Sequence, residues 1–317
     1  MNLPTPATLK KIDPRSDSAL DCLIERLFDY AGMFPPAQRD FESALRESAS
    51  CNSSLRRPWL LASNLVLDTA HSQKLSETDL SVYGFNSPLS VCVLATAPFE
   101  TVKSVLTSLS KTSSPIEISS LEVKTLGKPS RAIIAEWGEL ASQFRAMLAI
   151  EPDLSQENWS AELDSCIEGI SKASQRVALK CRLTGPTGIG AEKLAVALCK
   201  ACDTRSHFKV TGGLHHPVVD PSSHSYPMGF VAVAAAVMLR RVLGAAISES
   251  SIAQLLTNSS HERFSYGRNL RFDNHQISVE QLIAAKKSAH FSIGSCSLHE
   301  PDHDLIAFAE TTGQSPA

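Results

Sequence analysis

The 317-residue chain lacks a charge excess of either sign: 30 Lys and Arg stand against 33 Asp and Glu, a formal net charge of −3. Nucleic acid and anionic membrane usually demand a basic face, so neither is expected as a partner. No apolar run approaches the roughly 18–20 residues of a membrane span, so no membrane insertion is expected. The first 16 residues, MNLPTPATLKKIDPRS, lack the apolar stretch of a secretory signal and read as a loose N-terminal segment. G-x-G-x-x-G and G-x-x-x-x-G-K-[ST] are also missing, which removes support from the commonest nucleotide-binding open sheets. Histidine is scarce early: only His71 precedes residue 200, and the other nine fall between His207 and His303. Polar chemistry is therefore expected in the last third.

What is present is an ordinary globular composition, 43% hydrophobic and 20% charged, long enough to bury a large core. Eight scattered cysteines (Cys22, Cys51, Cys92, Cys166, Cys181, Cys199, Cys202 and Cys296) read as reduced thiols of a cytoplasmic protein. Cys199-Lys-Ala-Cys202 sits inside an apolar-periodic run with no second pair, so it reads as helix cysteines rather than a metal or redox site.

Apolar periodicity alternates along the chain. Helical spacing covers Ala19 to Phe28, then about Ala37 to Ser48, Phe99 to Leu109, Gly138 to Ile150, Glu157 to Ser174, Ala191 to Cys202 and Phe230 to Leu243. Ser248 caps a further helix through Leu256, and Ser278 with Gln281 makes a capping box before Leu282 to Lys287. Strand-like runs are Trp59–Leu67, Leu89–Leu94, Ser119–Lys124, Ala132–Glu136, Val177–Leu183, Phe208–Thr211 and Phe291–Ser297. Strands alternating with helices indicate parallel βα units. The count of seven or eight suits a (β/α)8 TIM-type barrel with N-terminal helical additions. The barrel is expected as one domain over 17–309, with a disordered tail at 310–317.

Side chains alternate across a strand. In Val177–Leu183 one face holds Ala178, Lys180 and Arg182; in Phe208–Thr211 one holds Lys209 and Thr211. Parallel strands are covered on both faces and usually read as apolar throughout, so two successive lysine-bearing faces point into the barrel, toward its C-terminal mouth. A like-charged, desolvated lysine pair is expected to have depressed pKa values, the condition an amine nucleophile needs. Lys209-Val-Thr-Gly-Gly-Leu214 resembles the lysine–diglycine strand end of class I deoxyribose-phosphate aldolases. Lys180 lies one βα unit earlier, near that family's Schiff-base lysine. The resemblance implies an imine-forming Lys180 and a second lysine, Lys209, that lowers its pKa. Between Lys180 and Thr184-Gly185 stand Cys181, Arg182 and Leu183, where the family has small residues, so Lys209 is the alternative nucleophile.

Other candidates surround this pair. Gly212 and Gly213 expose backbone N–H groups to an anionic ligand. His215 and His216 are candidates for acid/base or substrate contacts, with metal coordination as the rival; Asp29, Glu136, His224 and Glu300 are then the further ligands to consider. Asp29-Tyr30 reads as an ordered helix end, with a cover over the barrel as the alternative. Ser295, Cys296 and Glu300 mark a small, polar segment after the last strand, a common phosphate-binding location. Glu136 reads as an acid at a strand terminus and a candidate proton carrier. The strings LFDYAGMFPPA, FKVTGGLHHP and GSCSLHEP together are similar to a bacterial protein family, which implies a discrete family but no particular reaction.

The leading expectation is an aldolase-type lyase acting on a small oxo or hydroxy substrate, phosphorylated or not. Lys180 or Lys209 forms an imine, Glu136 or a histidine moves the proton, and Arg182 with Thr211 holds an anionic group. No external cofactor is required, and a homo-oligomer is compatible with the sequence. The rivals are a metal-dependent hydrolase or isomerase using His215/His216 with a carboxylate, and a non-catalytic anion-binding module.

Overall fold

The computed structural model describes residues 18–53, 64–85, 87–218, 228–259 and 263–311, with only the backbone described at 52, 53, 310 and 311. Eight parallel strands close on themselves: β1 (Phe28–Tyr30), β2 (Asn64–Asp68), β3 (Leu89–Leu94), β4 (Ile116–Lys124), β5 (Met147–Glu151), β6 (Val177–Arg182), β7 (His207–Thr211) and β11 (Phe291–Ser295). Sequence neighbours pair around the ring, β11 joining β7 to β1. This is the expected (β/α)8 barrel.

Helices cover it, and their apolar stripes explain why. On α4 (Phe99–Lys111) Val102, Val105, Leu106 and Leu109 are the buried residues. The helix α8 (Phe230–Leu243) is buried from Phe230 to Arg240 because α7 (Ala191–Asp203), α9 (Glu249–Thr257), α10 (Val279–Ser288) and α1 (Ala19–Ile24) all pack on it. It stops at Gly244 (φ +54°), as read. Ser248 caps α9, and Ser278 with Gln281 forms the capping box of α10. The remaining helices are α2 (Phe41–Ser53), α3 (Thr69–Ser76), α5 (Ser130–Gln143), α6 (Trp159–Lys172) and α11 (His299–Thr311).

Four local expectations are corrected. Ala132–Glu136 is not a strand: Ile133, Ile134, Trp137 and Leu140 are the buried side of α5, a helical spacing that the short apolar run concealed. The stretch read as a helix to Ile150 instead ends at Gln143, and Met147–Glu151 is β5, buried at every position. The first helix ends at Ile24, so Phe28–Tyr30 is the first barrel strand and α2 belongs to the first βα unit; α1 is the N-terminal addition. Between α9 and α10 lies an unforeseen antiparallel sheet of β8 (Phe264–Ser265), β9 (Asn269–Phe272) and β10 (His275–Ser278). Of the expected loose ends, residues 1–16 and 312–317 lie outside the described residues, whereas Glu310 and Thr311 belong to α11. Among the described residues no helix is long and apolar enough to cross a membrane.

Candidate active site

Every barrel strand sends at least one polar side chain into the interior; Asp29, Asn64, Cys92, Glu122, Glu151, Lys180, Lys209 and Ser292, in ring order, are all buried. Lys180 and Lys209 are register partners on β6 and β7, so alternation places both inward as read. Lys180 Nζ lies 2.6 Å from Glu122 Oε2 and 2.7 Å from Glu151 Oε2. Lys209 Nζ lies 2.5 Å from both Asp29 Oδ2 and Glu122 Oε1. Glu122 thus bridges the two lysines. Asp29 is fixed by Asn64 Nδ2 donating to Oδ1 and by Ser292 Oγ donating to Oδ2 at 2.8 Å. The Cys92 thiol donates to Glu122 Oε1 at 2.8 Å.

This arrangement reverses the expected lysine electrostatics. Burial pulls the Lys180 ammonium downward, but Glu122 and Glu151 outweigh it and leave the pKa above lysine's ordinary value. For Lys209, burial is outweighed by the charges opposite it, Asp29 foremost, and the pKa stands well above the ordinary value. Burial likewise works against the Glu122 carboxylate, yet Lys180 and Lys209 hold its pKa well below the usual range. Glu151 is also lowered, by Lys180 and Arg182 against burial. Burial drives the Cys92 thiol far up, and neighbouring Glu122 adds to it. The expectation of two depressed lysines is therefore corrected: mutual repulsion is present, but the carboxylates of Asp29, Glu122 and Glu151 dominate it.

Two residues further along the strands, toward the mouth, Arg182 pairs in register with Thr211. Arg182 Nε donates to Glu151 Oε1 at 2.7 Å, and Lys124 stands 3.7 Å from the same oxygen. The Arg182 side chain keeps 26% exposure, so the guanidinium is both anchored and open to the mouth. Gly212 and Gly213 take left-handed φ values of +89° and +74°. A Cβ at Gly212 would stand 2.4 Å from Thr184 Oγ1, so this turn needs glycine for close packing as well as for its backbone.

The histidine pair separates onto two carboxylates one turn apart on α11. His215 Nδ1 lies 2.7 Å from Glu300 Oε2, and His216 Nδ1 lies 2.6 Å from Asp304 Oδ2. On its other side, His215 Nε2 lies 3.8 Å from Cys296 Sγ. His215, Cys296 and Glu300 therefore meet beside the C-terminal ends of β7 and β11. Burial raises the Cys296 thiol pKa, against the lowering effect of the Ala37 N–H and its own N–H, which point at the sulfur. Ser295 Oγ is used locally: it donates to Ser297 O at 2.6 Å and shapes the turn into α11.

Several candidates are not at the site. Glu136 is exposed on α5, outside the barrel, because the strand that would have carried it inward is a helix. No three His, Cys, Asp or Glu side chains among the described residues converge as a metal-ligand set, and His215 and His216 point to different carboxylates, which corrects the paired-histidine metal centre. His224 lies outside the described residues. Asp29 does not end a helix or cover the barrel; it is an inward strand residue, while Tyr30 OH donates to Glu47 Oε2 at 2.6 Å.

Glu122, Glu151, Asn64, Cys92 and Ser292 are further interior residues, of which local pattern singles out none but Glu122. For Glu122 the signal was available: in Ser119–Lys124 the alternation that singled out Lys180 puts Ser120 and Glu122 on one face, and both are buried.

No protein-family model matches the chain, and no curated protein matches it. Among solved structures the chain is similar to deoxyribose phosphate aldolase from Aeropyrum pernix, described as having a unique tetrameric structure. The TM-score is 0.49 at 12% identity, covering 92% of this chain and 99% of that one.

Proposed function

We propose that the chain is a lyase of the Schiff-base aldolase type, with Lys180 as the amine that condenses with a small carbonyl substrate. The observation that carries the reading is the position of Lys180 Nζ, within 2.7 Å of two carboxylates in the barrel interior. An ammonium is not a nucleophile, and its raised pKa means that solvent base does not generate the amine at neutral pH. A carboxylate in direct contact supplies the route: the proton passes across the existing contact to Glu151, which is held down less strongly than Glu122, as the carbonyl carbon is attacked. The new C–N bond leaves an extra proton on nitrogen, which moves to the alkoxide to give the carbinolamine. The protonated carboxyl then returns its proton to that hydroxyl, water leaves, and the iminium nitrogen withdraws the electron pair released when the adjacent bond breaks.

Lys209 is the less suited amine, since Asp29 holds it and Asn64 and Ser292 in turn hold Asp29; it serves as a fixed cation that keeps Glu122 ionised. Arg182 and Thr211, on the mouth side, suit an anionic substituent such as a carboxylate or phosphate. Glu151 takes the proton-carrying role expected of Glu136, and Glu122 remains the fixed counter-charge of both lysines. The chemistry needs no external cofactor, and eight unpaired, buried cysteines support a reducing, cytoplasmic compartment.

Borohydride trapping tests this reading with a panel of small aldehydes, ketones and 2-oxo acids. The expected result is one reduced adduct on Lys180, absent in Lys180→Met and present in Lys209→Arg. Absence of any lysine adduct across the panel, in a protein whose folding is verified, overturns it.

A further inference from the structure

Beside the charged interior stands a second constellation that the imine chemistry does not use. Cys296 Sγ, His215 Nε2, His215 Nδ1 and Glu300 Oε2 follow one another with contacts of 3.8 Å and 2.7 Å. A nucleophile facing a base, with the base oriented by a third group, is the arrangement that activates a thiol, and such contacts are often looser without substrate. The carboxylate on Nδ1 favours a proton there and leaves the Nε2 lone pair directed toward the sulfur. The backbone supports the geometry at both ends. Ser297 Oγ accepts the Glu300 N–H at 3.2 Å, fixing the start of α11, and the Phe230 N–H donates to His216 O at 2.8 Å. Cys296 is 9% exposed, while the Glu300 side chain is 41% exposed, so the line runs from the solvent inward to the thiol.

We propose that Cys296 is a nucleophilic thiol, with His215 as its general base and Glu300 as the residue that positions His215, and that it accepts the acyl group of a small ester or thioester. The S–H proton passes to His215 Nε2 as the S–C bond forms and the carbonyl electron pair moves to oxygen. Collapse of this adduct expels the alcohol or thiol, which takes the proton from His215. Water, deprotonated by His215, then cleaves the acyl–sulfur bond to give the carboxylic acid and the free thiol. Burial disfavours a standing thiolate, so proton removal accompanies attack. This proposal does not rest on the Schiff-base reading.

The probe is p-nitrophenyl acetate, with nitrophenolate release followed optically and the acetyl group located by peptide mass spectrometry. On acid quench within the first turnover at pH 7, acetyl approaching one per chain is expected on Cys296, formed about 100-fold faster than on a free small thiol, in line with general base catalysis. His215→Gln abolishes that excess; Glu300→Gln lowers the rate about tenfold, and Glu300→Asp restores part of it. Cys92 and Cys181, in the core, report unfolding in the same sample. Acetylation of Cys296 only together with those two, or at an unchanged rate in His215→Gln, overturns the proposal. Lys180→Met keeps the Cys296 adduct, which separates failure of this proposal from failure of the imine reading.

Discussion

The two walls of the barrel meet at its axis with opposite charge. Strands β1, β4 and β5 contribute Asp29, Glu122 and Glu151; strands β6 and β7 contribute Lys180, Arg182 and Lys209. Either wall alone is a cluster of like charges that would neutralise itself by shifting its pKa values. Together they hold each other ionised. The difference shows that the protonation of a barrel residue is set by opposite charges reaching it both across the axis, as Glu122 and Asp29 reach Lys209, and from the next strand, as Glu151 reaches Lys180. It also shows why buried charge is retained here: a network of this kind is poor value for stability compared with apolar packing, and perturbed pKa values gather where chemistry is done.

Removing one wall's cation breaks the comparison most severely. Lys209→Met leaves Asp29 and Glu122 buried without their shared partner, and a loss of about 3–5 kcal/mol is expected in urea unfolding. Adding Asp29→Asn to that variant recovers part of the loss, because it removes the buried charge left without a cation, while Glu122 keeps Lys180.

Acid titration gives a smaller and graded effect. Glu122 and Glu151 are held below the ordinary value of 4.5, so their contribution is complete above about pH 4.5 and is lost as pH falls below it. A separate pair acts earlier. His207 and His290 are held neutral by burial, down to about 4 from an ordinary 6.5. Their contribution is complete above about pH 6.5 and is lost as pH falls toward 4. His207 Nδ1 accepts the His290 N–H at 2.7 Å, a bond that protonation of Nδ1 destroys. Thermal melts should therefore decline in two stages, with His207→Gln reducing the first and Glu122→Gln the second. A single transition unchanged by either variant contradicts this assignment.

The smallest effect is expected outside both walls. Glu136→Gln, on the exposed side of α5, should change stability by less than about 0.5 kcal/mol and leave borohydride trapping unaltered.

Legibility followed segment length and pattern. The strands carrying Lys180 and Lys209 were recognisable because a charge every second residue in a run otherwise fit for burial is itself a signal. Glu122 obeyed the same rule and was overlooked for want of a second charged strand beside it. Glu151 was hidden because Met147–Ile150, four apolar residues following a helix, fits either period. Asp29 was hidden because β1 is three residues long and stands between a helix and a proline-rich turn. His215, Cys296 and Glu300 were each identified singly, but the carboxylates at 300 and 304, one helical turn apart, receive the two histidines only once α11 is placed against the loop after β7.

The sequence by itself determined the alternation of strands and helices, the inward direction of the two lysines and the glycine turn above them, because these follow from local periodicity and backbone sterics. The sign of the lysine pKa shifts and the alignment of Cys296 with His215 were decided only by tertiary structure. Coulombic balance and hydrogen-bond geometry depend on distances of a few ångströms, and only closure of the barrel brings residues 29, 122, 151, 180 and 209 within that range.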